Sequence, residues 1–70
     1  MNGNELKAQM VRCKKTVDNL CAALGISRSA WFRKVGGSSE FTQGEILALR
    51  HELELDDKLT TLIFFTEEVS

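Results

Sequence analysis

Apolar side chains along this chain recur three or four residues apart, the spacing of amphipathic helices rather than of strands. Leu6, Met10 and Cys13 mark a first helix from about Asn4 to Lys14. Val17, Leu20, Cys21 and Leu24 follow at i, i+3, i+4, i+7, with Thr16 placed to cap the free N–H groups of that second helix. Gly25 supplies the left-handed conformation that ends it, Ile26 turns back to the core, and Ser27 is a good N-cap for a third helix, Arg28 to Val35, closed by Gly36 and Gly37. Thr42 to Glu45 is a capping box that opens a fourth helix with the stripe Ile46, Leu49 and Leu53. Asp56 or Asp57 caps a short last helix containing Leu59, Leu62 and Ile63. The expected fold is all-α, a compact bundle of about five short helices with an apolar C-terminal tail.

Between Thr16 and Gly37 the pattern is helix, glycine-containing turn of three or four residues, helix, which is the form of the DNA-binding helix-turn-helix. The second of these helices separates its chemistry by face. At about 100° per residue, Arg28, Ser29, Phe32 and Arg33 fall on an arc of roughly 140°, while Trp31 and Val35 lie on the other side as anchors. A helix of this width fits the major groove, where arginine can bond guanine O6 and N7 together and short side chains near the helix start reach base edges. Arg28, Ser29 and Arg33 are therefore the expected base readers, with Phe32 beside them against a thymine methyl or folded back onto protein.

Leu24-Gly25-Ile26-Ser27-Arg28-Ser29 in the turn, Phe41-Thr42-Gln43-Gly44-Glu45-Ile46 after the third helix and Ile63-Phe64-Phe65-Thr66 near the end occur in that order within 70 residues. With these three blocks the chain, from Leu6 to Val69, resembles the lambda-repressor-like (XRE-type) helix-turn-helix family, in particular its small Cro-like phage repressors. The resemblance implies a five-helix domain that binds a two-fold operator as a dimer and represses transcription. It also places the start of the fourth helix against a backbone phosphate, where free N–H groups and the Gln43 amide would meet it. Ser27, Lys34 and Lys15 complete the expected phosphate contacts. The chain departs from the family pattern at Val17, where members often carry a phosphate-binding glutamine, at Cys21, where alanine or glycine is preferred, and at Phe32, where a small or polar side chain is more usual.

Charge at first argues the other way, since nine basic residues against ten acidic ones leave a net −1. Its distribution reverses the argument. Residues 1–39 hold seven basic and two acidic side chains, net +5, and residues 40–70 two basic and eight acidic, net −6. A basic half carrying the motif and an acidic half behind it suit a protein that meets phosphate on one face. Of the basic residues around the first helix, Lys7, Arg12, Lys14 and Lys15, most are expected on solvated surface and one or two against phosphate.

Seventy residues make one domain with a small core, without room for a large substrate cleft. No apolar run approaches the ~20 residues of a membrane span, and the Met1 to Glu5 start lacks the basic and apolar regions of a signal peptide, so the expected location is the cytoplasm, on DNA in a bacterial host cell. Cys13 and Cys21 read as buried reduced thiols, with a disulfide as the alternative. His51 lies mid-helix without a nucleophile partner, and Glu52, Glu54, Asp56 and Asp57 lack the spacing of a calcium loop, so neither an enzyme nor a metal or other cofactor is expected.

Adjacent aromatics cannot both face one core. One of Phe64 and Phe65 is expected to pack inward and the other, with Val69, to form a homodimer contact; the alternative packs both within one subunit. The function that follows is a sequence-specific double-stranded DNA-binding repressor acting by promoter occlusion, with no membrane and no small-molecule substrate as partner. The rival is a protein-interaction module, antirepressor-like, that reuses the same fold to mask a basic partner with its acidic half.

Overall fold

The computed structural model describes residues 1–65, and these form five α-helices with no strand among them: α1 (Gly3–Arg12), α2 (Val17–Leu24), α3 (Arg28–Val35), α4 (Gln43–Glu52) and α5 (Asp57–Phe64). Every helix opens on a side-chain cap, because its first N–H groups have no partner within the helix. Asn2, Thr16, Ser27, Thr42 and Asp56 each accept from the backbone N–H three residues on. Thr16 and Thr42 form reciprocal capping boxes with Asn19 and Glu45.

The first helix is shifted from the expected Asn4 to Lys14. It begins earlier because the Asn2 side chain accepts from the Glu5 N–H at 3.1 Å while the Asn2 N–H donates to the Ile63 carbonyl at 2.7 Å, tying the chain start to α5. It ends earlier because Lys14 turns left-handed, at φ 55°.

Leu6, Leu20, Cys21, Trp31, Leu49, Leu53, Leu55 and Ile63 form one buried cluster to which every helix contributes. Complete burial of such a leucine is worth about 1.5–3 kcal/mol, so five helices of eight to ten residues hold together through a few side chains. α2 packs against both α3 and α4, and α1 packs against α5. Val17, Leu24 and Ile46 of the expected stripes are half-buried, and α5 contains Leu59, Leu62 and Ile63 as expected, with Ile63 buried, Leu59 half-buried and Leu62 exposed. α5 also buries Thr60, whose hydroxyl donates to the Asp56 carbonyl at 2.7 Å and so enters the core satisfied.

Cys13 and Cys21 are free thiols. Cys13 Sγ donates to the Leu53 carbonyl at 3.3 Å, and the buried Gln9 amide donates to the same oxygen at 2.9 Å. The end of α4 is thereby fastened to α1. No helix among the described residues is long and apolar enough to cross a membrane.

Candidate nucleic-acid interface

The three-residue turn Gly25–Ser27 sets α3 against α2. Gly25 at φ 70° lets the N–H groups of Gly25 and Ile26 close back on the Ala22 and Cys21 carbonyls at 3.3 and 3.1 Å, and Ser27 Oγ then accepts from the Ala30 N–H at 3.1 Å to open α3. One helix therefore ends and the next begins within three residues.

Trp31 decides which face of α3 is left outside. It is buried, and its ring meets Phe41 edge to face at 5.6 Å; Phe41 in turn meets Phe64 at 5.8 Å. With Trp31 inside and Val35 half-buried, Arg28, Ser29, Phe32 and Arg33 are all exposed, on the arc expected from helical periodicity.

These four residues differ in how they are held. The Arg33 guanidinium has no hydrogen-bond or ion-pair partner among the described residues. Arg28 Nη1 donates to Asp18 Oδ1 at 2.6 Å, and its guanidinium lies over the Phe32 ring, 5.6 Å from the centroid. Nothing along the chain shows that the first turn of α2 faces the start of α3, so the Asp18 pairing is visible only in the fold. Phe32 is 54% exposed, and Val11, Leu47, Leu62 and Phe65 are the other large apolar side chains exposed among the described residues.

The expected phosphate contacts divide. Gln43 is exposed at the first position of α4, and neither its backbone N–H nor that of Gly44 has a partner among the described residues, so that helix start is open to an anion. Ser27 is exposed, with its oxygen engaged in capping. Lys34 is corrected: only 14% of its side chain is exposed, and its ammonium bonds Glu45 Oε1 at 3.0 Å and the Glu40 carbonyl at 3.1 Å above the Phe41 ring. It fixes the loop between α3 and α4 instead of reaching outward. Lys15 pairs with Glu52 at 3.3 Å, at the far end of α4 from Gln43. A ten-residue helix is about 15 Å long, so Lys15 and Gln43 cannot hold the same phosphate.

Of the acidic residues once weighed as a cation site, Glu52 pairs with Lys15, Asp57 with Arg50 at 2.6 Å, and Asp56 caps α5. Of the three proposed dimer residues, Phe64 packs on Phe41 within its own chain, Phe65 is 63% exposed, and Val69 lies outside the described residues. Compared with protein families, with curated proteins and with solved structures, the chain matches none.

Proposed function

We propose that this chain is a sequence-specific double-stranded DNA-binding protein, a Cro-like repressor that acts as a homodimer by occluding a promoter. The observation that carries the reading is the exposed face of α3. An arginine without an internal partner, a second arginine, a serine and an aromatic ring stand together on a helix whose opposite face is anchored by Trp31. In this reading α2, the Gly25 turn and α3 act as a helix-turn-helix, α3 enters the major groove, and the open start of α4 binds a backbone phosphate.

Selection of bound duplexes from a random pool, at low and near-physiological salt, tests the proposal with wild type beside Arg33→Ala. A two-fold motif that the wild type enriches and the variant reads less strictly at one base pair, with a loss of roughly 1–3 kcal/mol, supports it. Equal losses on selected and random DNA would make Arg33 a phosphate contact. No enrichment by the wild type at either salt would overturn the proposal.

The exposed Phe32 ring favours one second reading, an antirepressor-like module that docks α3 on another protein. Salt dependence separates the two. A DNA binder loses affinity steeply as salt rises through counterion release, whereas the module has negligible affinity for DNA even at low salt.

A further inference from the structure

Arg28 and Phe32 lie one helical turn apart on α3, and the structure joins them into a unit: the guanidinium sits over the ring at 5.6 Å while Asp18, reaching across from α2, holds one of its nitrogens at 2.6 Å. Both side chains are exposed, so neither contact is forced by burial. An unattached arginine carries about 2 kcal/mol of rotamer entropy that it must lose on binding. Here the ring below and the carboxylate beside it have already limited that freedom. Asp18 engages Nη1, leaving other guanidinium donors to meet an acceptor.

The two partners have different complements on a base-pair edge. A guanidinium fork matches the O6 and N7 acceptors of guanine, and an apolar ring matches the C5 methyl group of a pyrimidine. Successive bases on a strand are about 3.4 Å apart, so groups separated by 5.6 Å fall over bases that are neighbours or next but one.

Resting on the DNA-binding reading above, we infer that Arg28 and Phe32, positioned by Asp18, read a guanine together with a C5-methylated pyrimidine within two base steps of it. The methyl group is the recognised feature, and thymine and 5-methylcytosine both supply it.

The test takes the duplex selected by the wild type and exchanges bases that differ by one group. Replacing the thymine with deoxyuridine removes only the methyl. Wild type should lose about fourfold in affinity, the worth of one buried methyl, and Phe32→Ala should lose almost nothing from the same exchange. Replacing the guanine with 7-deazaguanine should cost wild type roughly fivefold or more and Arg28→Ala little. Asp18→Asn should shrink the 7-deazaguanine penalty while leaving the fold intact, and it should shift the Arg28 Nε–H resonance of the free protein. Placing 5-methylcytosine or cytosine opposite guanine at the thymine position distinguishes the two methyl sources, with binding retained only for the methylated base if both are accepted and for neither if thymine alone is read.

The inference is overturned if the deoxyuridine penalty is the same in wild type and Phe32→Ala, or if the selected motif has no thymine within two steps of the guanine lost in Arg28→Ala. Failure of the wild type to select any sequence overturns the DNA-binding reading and this inference together. A selected motif with no coupling at this pair overturns the inference alone.

Discussion

Glu45 joins three parts of the structure through one carboxylate. Its Oε1 accepts from the Thr42 N–H at 2.8 Å, closing the capping box of α4, and from the Lys34 ammonium at 3.0 Å, fastening that helix to the end of α3. The backbone N–H of Thr42 first, and then the charge and hydrogen bond of Lys34, outweigh burial and hold the Glu45 carboxyl below its ordinary value of 4.5. A carboxylate with a folded pKa below its unfolded one adds stability above the unfolded value and loses it as pH falls through the folded value. Glu45→Gln keeps a cap at this position but removes the charge. Its melting temperature should therefore lie below that of wild type near neutral pH, and the gap should narrow as pH is lowered below 4.5. Thermal melts followed by circular dichroism at several pH values read this directly; two parallel curves would show that the carboxylate is not the group being titrated. Lys34 belongs to the same argument, since an ammonium enclosed by Glu45, the Glu40 carbonyl and the Phe41 ring shapes the candidate interface from behind.

At the scale of the helices, four of the five end in the same way. The N–H groups that follow α1, α2, α3 and α4 close six-to-one bonds, from Lys15 to Met10, Ile26 to Cys21, Ser38 to Arg33 and Leu55 to Arg50, each around one left-handed residue. Gly25 and Gly37 take that conformation without steric cost, whereas Lys14 at φ 55° and Glu54 at φ 52° hold a Cβ in it, against a penalty of about 1–2 kcal/mol. Glycine at either site removes the clash but frees the unfolded chain, which returns about 0.4–1 kcal/mol. Lys14→Gly and Glu54→Gly should each stabilise the fold by about 0.5–1 kcal/mol in urea unfolding; loss of stability in both would mean that their side chains hold more than the backbone geometry shows. The same sites show how much of the fold is legible in the sequence. Helix starts were legible at Thr16, Ser27, Thr42 and Asp56 because capping is a local interaction, and the two glycine ends were legible for the same reason. Lys14 and Glu54 carry no such mark. Gln9 was missed because a search for apolar periodicity passes over a polar core residue, and its burial rests on a carbonyl 44 residues away. The outward arc of α3 followed from its own periodicity, but the Asp18 and Glu45 pairings depend on how helices are set together, which no local pattern records.

The described residues measure 31 × 25 × 20 Å and present one α3. Two half-sites a helical turn apart, about 34 Å, therefore require a second copy of the chain if both are to be read through α3. The charge asymmetry between the halves is also smaller in the fold than along the chain, since Lys15 and Lys34 of the basic half are paired with Glu52 and Glu45 of the acidic half. On the DNA-binding proposal, this leaves fewer cations to neutralise phosphate, and two-fold binding would be the more important source of affinity. The C-terminal aromatics separate fold from assembly. Phe64 faces Phe41 at the end of the ring chain that begins at Trp31, so Phe64→Ala should lower the melting temperature, with a loss of stability no greater than the about 3–5 kcal/mol of a fully buried phenylalanine. Phe65 is exposed beside it and makes no ring contact among the described residues. If the proposed homodimer is made through Phe65, Phe65→Ala should leave the melting temperature of the monomer unchanged, halve the mass seen by light scattering at concentrations where wild type is dimeric, and weaken binding to a two-half-site operator far more than to a single half-site. A Phe65→Ala protein that remains dimeric and folded would place the self-association surface elsewhere on the molecule, and a wild type that is monomeric both free and on its operator would remove the two-fold arrangement altogether.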